Sequence, residues 1–122
     1  MNYVRFALRQ SVRDGGIGLA PLARRLGLGT RTLQRKLREH GTSFTELLGH
    51  ARRDLAEQSL RDGDLTIGEI SYGLGYSSPS EFQRAFKIWT GVAPKQYRLK
   101  SLTKERLAAL SEQQTNRFTS RA

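Results

Sequence analysis

Two stretches of this chain repeat one another at a nearly constant offset. Leu22, Leu26 and Gly27 return 48 residues later as Ile70, Leu74 and Gly75, and Leu33 and Leu37 return 49 residues later as Phe82 and Phe86. In each copy an apolar stripe at helical spacing runs to a glycine, and a second stripe follows after a short gap. Two short helices joined by a tight glycine-containing turn make a helix-turn-helix. The repeat therefore predicts two equivalent units, the second with a turn one residue longer.

Between the copies lies SFTELLGHARRDLAEQSLRD, Ser43 to Asp62. Phe44, Leu47, Leu48, Ala51 and Leu55 recur at helical spacing, Ser43 with Glu46 has the form of a capping box, and Asp62-Gly63 supplies a stop. A helix of about 20 residues spans ~30 Å, close to the ~34 Å of one B-DNA turn. The expected role of this helix is a ruler between the two units. Thr66 with Glu69, and Ser78 with Pro79 and Glu81, have the form of two further boxes, the last with Pro at the first helical position. Ahead of the first copy, Val4, Ala7, Leu8 and Val12 share one stripe of a packing helix over residues 1–13, with Tyr3 and Phe6 beside it. Pro21 falls in the first turn of the next helix, where a missing N–H costs little.

Composition narrows the class. A chain of 122 residues with 37% hydrophobic side chains is one modest globular unit or two small ones sharing a connector. The net charge of +10 favours a polyanionic partner. That charge is uneven: residues 43–63 carry three basic and four acidic side chains, and every other stretch is net basic. The ruler is thus not expected to be the main contact with a polyanion. Cysteine is absent, which excludes disulfides, thiolate metal sites and a cysteine nucleophile. No apolar run approaches the ~18 residues of a membrane span, and the N-terminus lacks the pattern of a secretory signal, so a soluble, cytoplasmic protein is expected. His40 and His50 have no partner set resembling a metal site. No carboxylate pair, Ser-His-Asp set or glycine-rich phosphate loop stands out. Neither enzymatic activity nor a cofactor is expected.

The faces opposite the buried stripes carry the functional signal. On the helix beginning near Thr30, the residues facing away from Leu33 and Leu37 are Arg31, Gln34, Arg35 and Arg38. Adding 49 gives Ser80, Gln83, Arg84 and Lys87, again one face. Arg can bond two guanine acceptors, Gln can pair with adenine, and Ser adapts to either. Lys36, Arg38 and Lys87 suit phosphates, which set affinity without carrying sequence information. A polar helix face is often simply solvated, but two matching faces on the second helices of two helix-turn-helix units favour DNA reading. Glu81 has two roles open to it, as the capping partner of Ser78 or as an acceptor from a cytosine amino group. Tyr72, Tyr76 and Trp89 sit at helical spacing beside Leu74 and Phe86, and are expected in the core.

The runs LARRLGLGTRTLQRKLREHGTSFTELL and LTIGEISYGLGYSSPSEFQRAFKIWTGVAPKQYR, with the helix between them, resemble the AraC/XylS family of bacterial transcription regulators over roughly Leu19 to Arg98. The resemblance implies an all-α, seven-helix double helix-turn-helix fold joined by a central helix. It also implies binding to one face of promoter DNA through successive major-groove segments. The base-reading candidates it carries over are Arg31, Gln34 and Arg35 in the first unit, and Ser80, Glu81, Gln83 and Arg84 in the second. Thr30, Lys36, Arg38, Ser78 and Lys87 are the phosphate candidates. The implied role is a sequence-specific activator with RNA polymerase as a further partner; the alternative from the residues is a basic helical module binding RNA or a protein.

The expected layout is a DNA-binding domain over 1–100, with the first unit at about 1–42, the linker helix at 43–62 and the second unit at about 64–100. Residues 101–122 form an extension beyond the family's usual end, with a short helix through Leu102, Leu107 and Leu110 and a disordered polar remainder. SSPSEF resembles the two-domain members, so a missing N-terminal effector or dimerisation domain is expected. Gly68 and Ser71 stand where the family commonly has Ala, Gly73 adds a helix-interior glycine, and Ala93 replaces a capping residue, all of which weaken local stability.

Overall fold

The computed structural model describes the backbone of residues 1–119 and the side chains of residues 1–111. Among these are seven helices and no strand. They are α1 (Asn2–Arg13), α2 (Leu19–Arg25), α3 (Thr30–Glu39), α4 (Phe44–Asp62), α5 (Ile67–Gly73), α6 (Pro79–Thr90) and α7 (Pro94–Thr119). The turn between α2 and α3 is residues 26–29 and that between α5 and α6 is residues 74–78, so the second is longer by one residue.

The three expected capping boxes form to different extents. At α5 the box is complete: Glu69 N–H donates to Thr66 Oγ1 and Thr66 N–H donates to Glu69 Oε1, each at 3.1 Å. Those Thr66 hydrogen bonds hold the Glu69 carboxyl below its ordinary value. The cap is therefore complete above the ordinary value and is lost as pH falls through the lowered one. At α4, Ser43 Oγ accepts from Glu46 N–H at 3.2 Å, but the Glu46 carboxylate accepts from the Thr42 hydroxyl at 3.1 Å instead of a backbone N–H. At α6, Ser78 Oγ accepts from Glu81 N–H at 3.3 Å, and Glu81 Oε2 accepts from Ser77 N–H at 3.1 Å. The residue one before the cap thus takes the two latter carboxylates, through the Thr42 hydroxyl at α4 and the Ser77 backbone N–H at α6.

Helix α4 is central. It packs against α1, α5 and α7, while α2 packs on α1 and α3, and α6 on α5 and α7. Arg9 bonds Asp54 at 2.6 Å and Arg13 bonds Gln58 at 3.4 Å, each across 45 residues. The constant offset means that α1 and α4 run side by side in the same direction. Leu47, Ala51, Leu55, Ala56 and Leu60 are the buried face of α4. They join Leu8, Leu22, Leu33, Leu37, Ile70, Phe82 and Phe86 in one continuous hydrophobic cluster. The two units therefore share a core, which α4 threads.

Two arginines complete this core from its edge. Arg98 Nε donates to the Leu60 carbonyl at 3.1 Å, and its Nη2 reaches the carbonyl of Leu65, so α7 closes the C-terminus of α4. Arg52 Nε donates to the Leu74 carbonyl at 3.0 Å, closing the end of α5. Ser71 is fully buried, and its hydroxyl donates to the Ser78 carbonyl at 2.9 Å. This bond ties α5 to the start of α6, so Ser71 in place of Ala is compensated, contrary to the expected local weakness.

Two further expectations are corrected. Tyr72 is 61% exposed and is no core residue, because it lies on the side of α5 opposite Ile70 and Ser71. Residues 101–119 do not restart as a separate short helix; they prolong α7 as far as Thr119. The end of the polar remainder expected to be disordered, residues 120–122, lies outside the described residues. Leu102, Leu107 and Leu110 are exposed along this extension.

Glycines in two settings give opposite expectations. Gly49, in the middle of α4, has nothing within 4 Å of where a Cβ would stand, so Gly49→Ala is expected to raise stability by about 0.5–1 kcal/mol. Gly75 has φ +88°, and a Cβ there would lie 2.5 Å from Ile17 Cδ1. Left-handed backbone costs roughly 1–2 kcal/mol for other residues, and Ile17 must swing its terminal methyl aside, so Gly75→Ala is expected to lose about 1–2 kcal/mol. Urea denaturation of the two variants beside the parent checks both signs.

Candidate nucleic-acid interface

Each second helix is pinned by its apolar side and free on the other. On α3, Leu33 and Leu37 are buried, while Thr30, Arg31, Gln34, Arg35, Lys36 and Arg38 are exposed. On α6, Phe82 and Phe86 are buried, while Ser80, Glu81, Gln83, Arg84 and Lys87 are exposed. Ser78 is half-buried at the cap. The structure thus places the expected residues on two outward faces, one per unit, with Ser78 set back from the second.

A lack of side-chain partners separates most of these residues from the arginines that brace the core, although among the described residues Arg5, Arg24, Lys95, Lys100, Lys104 and Arg106 share it. Arg9, Arg25, Arg52, Arg53, Arg61 and Arg98 each hold a carboxylate, a carbonyl or a hydroxyl. Among the described residues, the side chains of Arg31, Gln34, Lys36, Arg38, Gln83, Arg84 and Lys87 hold none. Arg35 approaches Glu39 at 3.8 Å, with the two side chains 67% and 62% exposed; an open pair of this kind is worth little and yields readily. An uncommitted cationic face on a basic protein attracts phosphates and has its donors free for base edges.

Glu81 is partly occupied. Its Oε2 serves the Ser77 N–H one residue before the cap, not the N-cap N–H of a capping box, while Oε1 has no partner among the described residues. Helix α3 differs from α6 at its start: its N-cap is Gly29 and no side chain accepts its first N–H groups. Those donors, at the positive end of the helix dipole, suit a phosphate oxygen beside Thr30.

Three features of this surface escaped the sequence reading. Ile88 is 83% exposed, one turn beyond Arg84 on α6. The repeat held a signal for it, since subtracting 49 gives charged Glu39, where an apolar residue would be out of place in a core. Ile17 and Arg52, which contact the turn before α6, belong to no repeated position and gave no signal. Among the described residues, no group of three or more His, Cys, Asp or Glu is placed to hold a metal ion, and no helix is long and apolar enough to cross a membrane.

Two tight-turned helix pairs on a shared central helix, each presenting an uncommitted basic face, define a double helix-turn-helix DNA-binding module. A helix-turn-helix domain family matches residues 22–100, and the chain belongs to this AraC-type family, the DNA-binding domain of transcription regulators. It is similar to an uncharacterised helix-turn-helix-type transcriptional regulator of Mycobacterium bovis, at 46% identity over 87 residues, covering 70% of this chain and 25% of that protein. Among solved structures it resembles a DNA-binding transcriptional dual regulator of Escherichia coli K-12, with a TM-score of 0.71, 27% identity, and 82% and 93% of the two chains covered. It also resembles the transcriptional regulator CdpR of Pseudomonas aeruginosa, with a TM-score of 0.60, 42% identity, and 68% and 26% covered. The chain spans about a quarter of the length of the curated relatives it matches.

Proposed function

We propose that α3 and α6 enter two successive major-groove segments on one face of a promoter duplex. Arg31, Gln34 and Arg35 read bases in the first segment, and Ser80, Glu81, Gln83 and Arg84 in the second. Thr30, Lys36, Arg38, Ser78 and Lys87 hold phosphates, and Ile88 offers an apolar contact suited to a thymine methyl. The observation that carries this reading is the pair of exposed polar faces related by the 49-residue register. As one segment of a longer regulator of the relatives' kind, the chain would work with an effector-binding or dimerising part, act in the cytoplasm, and recruit RNA polymerase as an activator.

Selection of random duplexes, followed by sequencing, tests the reading directly. Two short motifs about one helical turn apart are expected; enrichment of a single motif, or preference for RNA, would overturn it. On the selected site, Arg84→Ala and Arg35→Ala are each expected to lose about 1–3 kcal/mol and to relax one base preference. An equal loss on random DNA would reduce them to phosphate contacts. Lys87→Ala is expected to weaken all sequences alike and to flatten the salt slope by about one unit; an unchanged slope would remove it from the phosphate set.

A further inference from the structure

The turn before α6 is gripped by parts of the molecule that lie outside its own unit. Ile17, in the loop between α1 and α2, sets its Cδ1 2.5 Å from where a Cβ on Gly75 would stand. Arg52, on α4, reaches the same turn. Its Nη2 lies 3.3 Å from that Cβ position, its Nε bonds the Leu74 carbonyl at 3.0 Å, and its guanidinium carbon is 4.6 Å from the Tyr76 ring centroid. The Tyr76 ring lies 5.7 Å from that of Phe82, so the contact continues onto the buried side of α6 itself.

The equivalent turn in the first unit has no such grip. Gly27 matches Gly75 in the repeat and shares its left-handed backbone, at φ +69°, yet nothing stands within 4 Å of its Cβ position. A helix-turn-helix of this design therefore closes without outside help. The grip on the second turn does something other than make the turn: it joins the first unit's loop, the central helix and the second recognition helix into one body.

We infer that Ile17 and Arg52 are positioning residues that fix the rotation of α6 relative to α3, and so confine the protein to one spacing between its two DNA motifs. This rests on the two-motif reading above. Neither residue belongs to the reading faces, so both act through α6 and not by touching DNA bases.

The test uses the full chain with Ile17→Ala and Arg52→Lys combined; lysine keeps the charge but cannot reproduce the guanidinium's bond and stacking. Affinity is measured on duplexes carrying both selected motifs at the natural spacing, with one base pair added or removed, and with one motif alone. One base pair turns the second motif by about 35°. The parent is expected to lose about tenfold on either altered spacing, and the double variant less than about threefold, with single-motif affinity unchanged. Arg52→Lys alone is expected to fall between them, and Ile17→Val to follow the parent. A uniform loss across all duplexes, with the spacing profile unaltered, would make the two residues merely structural and overturn the inference.

A parent indifferent to spacing would sink the two-motif reading instead, and a measurement without DNA then still decides on the grip. Residual dipolar couplings from α2–α3 and α5–α6 are expected to fit one alignment tensor in the parent and two of different magnitude in the double variant. A single shared tensor in both proteins would overturn the grip whatever the DNA result.

Discussion

Inserting two alanines after Gln58 is expected to reduce binding of a two-motif duplex to the level of a one-motif duplex. Two extra helical residues turn everything beyond them by about 200° and advance it by about 3 Å. Leu47, Ala51 and Leu55 would stay seated against the first unit, while Leu60 would be carried away from the cluster it shares with them. Arg98 would travel with its Leu60 carbonyl, so α7 would remain on the end of α4. The bond lost is the one that crosses the insertion, from Arg52 to Leu74, whereas Arg13 and Gln58 both lie before it and keep theirs. Fluorescence anisotropy with both duplexes checks the expectation, and circular dichroism checks that helix content persists. Undiminished two-motif affinity would mean that a single helix-turn-helix engages DNA.

Phe86→Ala is the largest stability loss expected from one substitution. Phe86 is fully buried, with ring centroids 5.8 Å from Phe82, 6.4 Å from Trp89 and 5.3 Å from Tyr97. Truncating such a side chain costs about 3–5 kcal/mol, a large part of the ~5–15 kcal/mol that holds a domain folded. Because one hydrophobic cluster runs through both units, the loss should not be confined to the second. Trp89 is the only tryptophan, so its fluorescence reports the second unit while far-UV circular dichroism reports the whole. Both signals are expected to move to lower urea together. A fluorescence transition well ahead of the helix signal would show that the units unfold separately and that the shared core does not couple them.

Those two expectations show which parts of the molecule were readable in advance. The repeat of Leu22, Leu26 and Gly27 in Ile70, Leu74 and Gly75 was enough to locate both helix-turn-helix pairs, because helical spacing and a stop glycine are local signals. The exposed faces of α3 and α6 followed from the same register: once Leu33 and Leu37 point inward, Arg31, Gln34 and Arg35 must point outward. Capping was legible only by halves. Ser43 and Ser78 hold the expected N–H groups, but whether Glu46 and Glu81 answer them depends on Thr42 and Ser77, one residue further out.

Tyr72 lies outside the core because α5 has only seven residues, and its short buried face is already filled by Ile70 and Ser71. Arg52 and Arg98 were counted with the basic charge that draws a polyanion, although both are turned inward onto carbonyls. Only a partner distant in sequence distinguishes an arginine of that kind from Arg84.

The seat of Ile17 on Gly75 also dictates an order of events at the ribosome. The two residues are 58 positions apart (75 − 17), and at 5–20 residues per second a growing chain needs roughly 3–12 s to supply the second after the first. For that interval Ile17 has no Gly75 to seat on, and any part of α1, α2 and α3 already formed carries an apolar side chain where the finished protein has a joint. Completion of the second turn is what ends this exposure, so a chain that stalls between the units keeps Ile17 open to other contacts.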